Sequence, residues 1–308
     1  MQKKLPKLVV VLGPTASGKT DLAIKLARKF KGEIVSADSR QIYKFMDIGT
    51  AKPSKKEMVK IPHYLTGFIN PNQKFSVAIY KKLALKALKK IKKQGKIPFL
   101  VGGTGLYLQS IVDNIEFPRV PAQQKLREKL ERKSEKELFG IYKQLDPKGA
   151  RLIDKKNRRR LIRAIEVCTI TKKSFWMQRE KGKPLFAVLI IGIKLAKKEL
   201  EKRIKKRVEK MIKSGLEKEA KRLVKKYGWR ISPLQTIGYQ EWKDYFDKKI
   251  GAKNVEEKIR LHTIQFSKRQ MTWFKRDKRI KWINNYKKAE KLIKKFLFNK
   301  NFSAKSHS

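Results

Sequence analysis

The chain has 308 residues, 40% of them hydrophobic, which is enough for two domains or for one large domain with an insertion. Lysine and arginine number 80 against 27 acidic residues, and this net charge of +53 indicates either a polyanionic partner or a compositional bias toward lysine on solvated helix faces, while periodic apolar segments argue against disorder for most of the chain. A single cysteine, Cys168, excludes an intrachain disulfide, and no apolar run approaches the roughly 18 residues of a membrane span, so we expect a cytoplasmic protein with no membrane contact.

The first third of the chain repeats a unit of strand, turn and helix. Short β-branched runs that end at glycine or polar residues indicate buried parallel strands, and apolar residues at helical spacing follow them. The predicted strands are 8–12, 33–37 and 97–101, and the predicted helices are 20–30, 76–94 and 106–112. This pattern predicts an α/β fold whose ligand lies at the carboxyl ends of the strands.

The composition changes near Pro118 and Pro121. The stretch from 118 to 185 is polar and helical without a strand pattern, so it predicts an all-helical insertion between two parts of a catalytic core, 1–117 and 186–308. After the insertion, strands are predicted at 186–193 and 280–283, helices at 196–213, 216–227, 240–246, 255–275 and 287–298, and a frayed tail at 299–308.

The segment between the first strand and the first helix fits the phosphate-binding pattern G-x-x-x-x-G-K-[ST] without a mismatch. It consists of Gly13, Pro14, Thr15, Ala16, Ser17, Gly18, Lys19 and Thr20. Its glycines let backbone amides surround phosphate oxygens, Lys19 reaches the same oxygens, and the Thr20 hydroxyl can bind Mg²⁺. A chance glycine-rich turn is the alternative, but the flanking strand and helix favour a P-loop NTPase-like parallel sheet flanked by helices.

Two further side chains are expected at the same edge of the sheet. An ATPase or GTPase would carry a Mg²⁺-binding acid at the end of a buried strand. The strand 97–101 ends instead at Gly102 and Gly103, followed by Thr104, and the acid is Asp38 at the end of the strand 33–37. The alternatives are a helix-capping role for Asp38 and a tight turn at the two glycines.

Seven motifs together resemble the tRNA dimethylallyltransferase family, also called tRNA isopentenyltransferases. The motifs appear in the family's order and span about 7–283; they are 13–20, 36–43, 46–53, 101–107, 159–167, 235–241 and 268–274. Some members carry a basic residue where this chain has Gln235 or Gln240.

The resemblance implies transfer of a dimethylallyl group from dimethylallyl diphosphate to N6 of adenosine 37, beside the anticodon of tRNA, with release of diphosphate. The P-loop, Lys19 and Mg²⁺ at Thr20 would stabilise the leaving diphosphate. Asp38 is then the candidate general base for the N6 proton, and Thr104 is expected near the reacting centre. A monomer is the expected state.

The resemblance also gives roles to basic and polar residues. Four arginines in 157–163 are expected to position an RNA stem through its phosphates, although a solvated helix face is the alternative. Arg127 is a weaker candidate, with an ordinary surface role as its alternative, and 39–41 could instead be a structural loop. The predicted tRNA contacts are Asp38, Ser39, Arg40, Gln41, Thr104, Arg127, Arg159, Arg160, Leu161, Ile162 and Arg163.

Three other functions compete with this interpretation. An ATP-dependent P-loop kinase acting on a nucleotide or metabolite would use arginines in a lid, which the insertion could supply. A prenyltransferase acting on free adenine nucleotides would need neither the insertion nor the large positive charge. A non-enzymatic RNA-binding protein would leave the P-loop and Asp38 without a purpose.

Overall fold

The computed structural model describes residues 5–178 and 180–298, with the backbone alone at Lys55. In the described part of the chain, six strands form one sheet. They are β1 Lys7–Leu12, β2 Gly32–Ser36, β3 His63–Tyr64, β4 Ile97–Gly102, β5 Ala187–Ile193 and β6 Lys281–Ile283. The predicted tail, 299–308, lies outside the described residues. No helix in the described residues is long and apolar enough to cross a membrane.

Helices follow and flank the strands in chain order. They are α1 Lys19–Lys29, α2 Lys55–Lys60, α3 Val77–Lys93, α4 Gly105–Val112, α5 Gln124–Glu131, α6 Glu135–Leu145, α7 Pro147–Ala150, α8 Arg158–Thr171, α9 Lys197–Lys213, α10 Leu216–Tyr227, α11 Lys243–Phe246, α12 Ala252–Phe274 and α13 Tyr286–Phe298. Two 3₁₀ turns cover Ser232–Leu234 and Gln240–Trp242. The second of them replaces the start of the helix predicted over 240–246.

The sheet has the strand order β3-β2-β4-β1-β5-β6, and every pair is parallel. Parallel strands buried on both faces need apolar side chains on both, and β1 is buried from Leu8 to Leu12. Because the strands are parallel, β1, β2 and β4 all end at one edge, where the following turns meet. The α/β prediction, with its parallel sheet flanked by helices, is confirmed.

Helices cover both faces of this sheet. On one face α3 and α4 pack against β1, β2 and β4, with Tyr80, Leu88 and Ile111 buried among the strand side chains. On the other face α1 and α13 contribute Leu26 and Phe296, both fully buried. The chain therefore holds β1 and the loop after it between two apolar layers, which fixes the start of α1.

The chain divides into two compact units. The first comprises Met1–Val112 and Leu185–Ser308, and the second Asp113–Pro184; the sequence placed the insertion at 118–185. Within the second unit, α5 to α8 pack around a core that includes Leu138, Tyr142 and Leu161, all buried. Near the two ends of this unit, Ile115 and Lys181 form an isolated antiparallel bridge.

Two short elements were absent from the sequence prediction. The helix α2 begins at a capping box, in which Ser54 and Glu57 satisfy each other's backbone amides. The strand β3 has two residues and pairs with Ile34 and Val35 of β2. Together they extend the sheet edge beside β2 and bring His63 close to the carboxyl end of that strand.

Candidate functional site

The P-loop runs from Gly13 to Thr20 between β1 and α1. Gly18 has a φ of 83° and forms the N-cap of α1 without a side-chain capping hydrogen bond. The amides of the first turn are therefore open to an anion, and the helix dipole favours negative charge there. Ala16 also adopts a positive φ, of 62°, which is a strained conformation for a residue other than glycine. This geometry suits a phosphate cradle.

Lys19 lies at the floor of the loop. Its Nζ donates to the Pro14 carbonyl over 3.4 Å, so the side chain folds back along the loop. Burial is the main cause that lowers the pKa of Lys19 to about 8; the Asp38 carboxylate opposes this effect and Arg207 adds to it. A bound anion would offset the desolvation of the ammonium, so Lys19 is a group whose charge depends on its ligand.

One cavity adjoins the loop, Asp38 and the strand ends. Its polar lining consists of Lys19, Thr20, Ser36, Asp38, Gln41 and His63, and Ile34, Pro53, Val101 and Gly102 complete it. The predicted phosphate-binding lysine and the predicted base thus share one cavity. The catalytic candidate Thr104 adjoins it through the loop that carries Asp38.

Asp38 and Thr104 are connected through the backbone at the ends of β2 and β4. Asp38 accepts from the amide of Arg40 over 2.8 Å, which orders its own loop. The Thr104 amide donates to Ala37 O over 3.1 Å, and its hydroxyl accepts from the Ser39 amide over 3.0 Å. Turns rather than a helix follow Asp38, so the helix-capping alternative is wrong; the carboxylate orders a turn and also borders the cavity.

Two arginines at the site were missed from the sequence. Arg203 and Arg207 lie one turn apart on α9; Arg203 donates to Ser17 O over 3.5 Å, and Arg207 donates to Thr50 O over 3.4 Å. Burial lowers the pKa of Arg207, and the Asp38 carboxylate raises it. The sequence signal that could have found them is the pair of arginines at i and i+4 in a helix otherwise rich in lysine. Arginine binds phosphate through two parallel hydrogen bonds, which lysine cannot do.

His63 is a second residue that sequence reasoning left unassigned. Its Nδ1 lies 2.6 Å from Ile61 O and therefore carries the proton, which leaves Nε2 as the acceptor. Among the described residues, four buried side-chain atoms lack a hydrogen-bond partner, and two of them, Nε2 of His63 and Oγ of Ser17, lie at this site. Burial is the main cause that lowers the pKa of His63. Both orphaned atoms belong to residues at the P-loop or its cavity, where a ligand would satisfy them.

The residues after Asp38 are only partly available to a nucleotide. Gln41 donates from Nε2 to Ala51 O over 3.1 Å, so its side chain ties two loops of the first unit together. The Ser39 hydroxyl accepts from Thr104 over 3.3 Å. Arg40 is half-buried beside them. The structural alternative therefore describes Gln41 well, and Ser39 and Arg40 remain candidates for contact with RNA.

In the second unit, Arg127 and Arg163 hold an internal acid. Arg127 makes two bonds of 2.7 Å to Glu166, and Arg163 donates to the same carboxylate over 2.5 Å. Glu166 is completely buried. Burial would raise the pKa of Glu166, but the hydrogen bonds from Arg127, the Gln123 amide and Arg163 lower it to about 2. Both arginines thus have a structural role, with about one third of each side chain exposed.

The other members of the arginine segment point in different directions. Leu161 and Ile162 are 0% and 7% exposed in the core of the unit, so their side chains are unavailable for an RNA contact. Arg159 is exposed, and Arg160 stacks on the Trp176 ring at 4.7 Å from its centroid. The helix α8 therefore presents Arg159 to solvent, holds the half-buried Arg160 against Trp176, and packs its apolar stripe inward.

The donor set near Thr20 fits Mg²⁺ held largely by a substrate. The Thr20 hydroxyl and the Asp38 carboxylate lie in one cavity and are hard oxygen donors. Among the described residues, no group of three or more His, Cys, Asp or Glu side chains forms a metal cage. Mg²⁺ commonly binds through one or two protein oxygens together with phosphates and water, so these residues fit it.

The arrangement as a whole suits the displacement of a phosphate or diphosphate leaving group, either from carbon or from phosphorus. It offers backbone amides and Lys19 at one anion site, with a carboxylate in the adjoining cavity. Arg207 is close enough to act on the charges of Lys19 and Asp38, and Arg203 contacts the P-loop at Ser17 O while pairing with Glu199. The cations would stabilise a leaving group that gains charge, and the carboxylate would accept a proton from the incoming nucleophile.

Comparison with known proteins agrees with the motifs. The profile of the family described as IPP transferase matches 41–277. The chain is 41% identical over 300 residues to a tRNA dimethylallyltransferase of Acetivibrio thermocellus, with 94% of this chain and 96% of that protein covered. It is 42% identical over 278 residues to the Microcystis aeruginosa protein of the same name, covering 90% and 88%.

Two solved structures are similar in fold. A full-length tRNA isopentenylpyrophosphate transferase from Bacillus halodurans superimposes with a TM-score of 0.70 and 34% identity, covering 94% of this chain and 95% of that one. A eukaryotic dimethylallyltransferase described as acting on tRNA gives a TM-score of 0.74 and 27% identity, covering 87% and 69%.

Proposed function

Because the chain belongs to the tRNA dimethylallyltransferase (IPP transferase) family, we propose that it transfers the dimethylallyl group of dimethylallyl diphosphate to N6 of adenosine 37 in tRNA. The products are N6-dimethylallyladenosine and diphosphate. A cytoplasmic monomer that binds tRNA and dimethylallyl diphosphate is part of the proposal.

The observation that carries the proposal is the shared cavity of Lys19, Thr20 and Asp38. A diphosphate in the P-loop would place its ester carbon toward the strand ends, where Asp38 lies. The reaction needs one anion site and one base separated by the length of a small allylic group, and a single cavity meets both needs.

The chemistry follows from the groups present. The bond between the allylic carbon and the diphosphate oxygen breaks, and its electron pair stays on the diphosphate. The P-loop amides, Lys19, Arg203 and Arg207 stabilise that growing charge. The N6 lone pair forms the new bond to the carbon. This bond makes the hydrogen on N6 acidic, and Asp38 then takes it as a proton. Orphaned Ser17 Oγ is available as a further donor to the diphosphate.

Mg²⁺ completes the proposed site. Thr20 would hold it together with the diphosphate and water, and it would neutralise charge on the leaving oxygens while Asp38 stays available as the base.

Contact with tRNA is assigned to two sets of residues. The target base would be surrounded by Asp38, Ser39, Arg40 and Thr104. An unpaired base of the anticodon loop can be extruded into the site with a small free-energy cost. Arg159 and Arg160 of the second unit would bind stem phosphates, since Arg159 is exposed and Arg160 is half-exposed beside Trp176. Arg127 and Arg163 contribute the exposed third of their side chains and otherwise support α8.

The family match does not support the kinase alternative. A metabolite kinase would release no diphosphate and leave the RNA unmodified, and a transferase acting on free nucleotides would prenylate AMP. Both are outcomes of one assay.

The assay combines the protein, Mg²⁺, dimethylallyl diphosphate and an anticodon stem-loop with adenosine 37. Mass spectrometry of the digested RNA and release of diphosphate are followed together. A stem-loop with guanosine at position 37 and free AMP are the matched controls. The proposal predicts equal amounts of diphosphate and N6-dimethylallyladenosine with the first RNA alone. Unmodified RNA, or modified AMP, would contradict it.

A further inference from the structure

The buried side chain of Gln270 joins the P-loop to the turn after β4. Oε1 of Gln270 accepts from the Thr15 amide over 2.8 Å, and its Nε2 donates to Gly103 O over 2.9 Å. The side chain is 7% exposed. Only one orientation of the amide satisfies both partners, because one is a donor and the other an acceptor.

The position of Gln270 on α12 would ordinarily hold an apolar residue. It lies on the inner stripe of the helix with Val255, Ile259, Ser267 and Phe274. A buried polar side chain there is tolerated because both of its polar ends are paired. Its two bonds go to two separate loops rather than to its own helix, so they act on the relative position of those loops.

The connection continues from Gly103 to the loop of the candidate base. The next residue, Thr104, binds Ala37 O with its amide and the Ser39 amide with its hydroxyl. Ala37 and Ser39 flank Asp38 in the chain. A path of hydrogen bonds and covalent links therefore leads from Thr15 in the P-loop, through Gln270 and Thr104, to Asp38.

Close packing leaves this path little freedom. A Cβ on Gly103 would lie 2.4 Å from Gln270 Nε2, and one on Gly102 would lie 2.2 Å from Ala37 O. A Cβ on Gly105 would lie 2.3 Å from the Trp273 ring nitrogen. The end of α12 thus presses Gln270 and Trp273 against the turn, so a shift of one loop is passed to the other.

We propose that Gln270 is a positioning residue that sets the separation between the diphosphate cradle and the Thr104–Asp38 side of the site. The inference rests on the proposed transferase reaction for its kinetic consequence, but the bridge itself concerns only the two loops. Gln270 contacts neither reacting atom; it acts through Thr15 and Gly103. Its loss affects alignment in the transition state more than substrate binding.

The test compares Gln270→Leu with Gln265→Leu, which makes the same change on an exposed face of the same helix. In the prenylation assay, Gln270→Leu is expected to lower kcat about 10- to 100-fold, with KM for both substrates within about threefold. Gln265→Leu is expected to match the wild type. A kcat of Gln270→Leu within about twofold of wild type, or an equal loss in Gln265→Leu, would overturn the proposal.

A second variant covers the case in which Gln270→Leu does not fold. In Gln270→Glu, the protonated carboxyl group can donate to Gly103 O and accept from Thr15, whereas the ionised group repels Gly103 O. Burial raises the pKa of such a group. The ratio of its kcat to that of wild type should therefore rise as pH falls from about 8 to about 6. A ratio independent of pH would contradict the bridge.

A reaction-free measurement separates this proposal from the proposed function. Inorganic diphosphate bound at the P-loop should slow amide hydrogen exchange in 102–107 in the wild type and in Gln265→Leu, but not in Gln270→Leu or Gln270→Glu at about pH 8. If the wild type transfers no prenyl group, the function fails while this exchange result still decides the bridge. Equal protection in all four proteins would refute it.

Discussion

The charge of Lys19 provides a test of the anion site that needs no catalysis. Burial lowers the pKa of Lys19 to about 8 in the free protein. A bound diphosphate would surround the ammonium with negative charge and raise that pKa again. Diphosphate binding should therefore take up a proton when the pH exceeds about 8, and its affinity should fall over that range.

The size of the effect follows from the protonated fraction of Lys19. With a pKa of about 8, roughly nine tenths of the lysine is protonated at about pH 7 and roughly one tenth at about pH 9. The dissociation constant should thus rise about tenfold between these two values. The dissociation constant must rise rather than fall with pH, because a lysine with a lowered pKa loses its positive charge in the free site over this range.

Calorimetric titration with a nonreactive allylic diphosphate analogue measures this directly. Titrations in two buffers of different ionisation enthalpy give the number of protons taken up, expected to approach one at about pH 9. Lys19→Met is the matched control, since it keeps the stem of the side chain and removes the charge. Wild-type affinity that does not change with pH, or that changes equally in Lys19→Met, would refute the assignment.

Three further changes have defined consequences. Asp38→Ala should lower turnover about 10²- to 10⁴-fold while tRNA binding stays nearly intact. Arg160→Ala should weaken tRNA binding and reduce its salt slope by about one, without changing the chemical step. Glu166→Gln should destabilise the second unit by about 2 kcal/mol in hydrogen exchange or thermal unfolding. This is less than the loss expected for a fully buried ion pair, because water screens its arginine partners, which are about one third exposed. Because the folded pKa of Glu166 is depressed, its contribution is complete above its ordinary value of 4.5 and lost as the pH falls toward about 2.

Each of these has a result that would contradict it. Near-normal turnover of Asp38→Ala would show that Asp38 is not the general base. An unaltered salt slope in Arg160→Ala would remove the phosphate contact, and Lys136→Ala, another exposed cation of the second unit, serves for comparison. A Glu166→Gln protein as stable as an exposed Glu128→Gln variant would show that the buried carboxylate is dispensable.

The sheet and the P-loop could be predicted because their signals are local. An apolar β-branched run with a glycine at its end, as at β1, specifies a buried strand and a turn without reference to the rest of the chain. The position of Asp38 beside the loop followed from the rule that parallel strands end at one edge. The helix α2 was missed from the sequence, although Ser54 and Glu57 have the local spacing of a capping box.

Other features depend on contacts between residues distant in the sequence. Arg127 and Arg163 look like RNA-binding arginines until the fold pairs them with Glu166. Arg203 and Arg207 are hidden in a helix full of lysine, and their place at the P-loop depends on how α9 packs. Gln270 belongs to a recognised motif, but its two partners lie 255 and 167 residues away. Local patterns carry no record of such pairs.

The most direct test of the account is a structure with a nonreactive dimethylallyl diphosphate analogue and an anticodon stem-loop bound together. The account predicts diphosphate oxygens at hydrogen-bond distance, about 3 Å, from Lys19 and the P-loop amides, and a carboxylate oxygen of Asp38 about 3 Å from N6 of adenosine 37. A diphosphate bound elsewhere, or an Asp38 carboxylate that stays beyond the reach of N6, would contradict it.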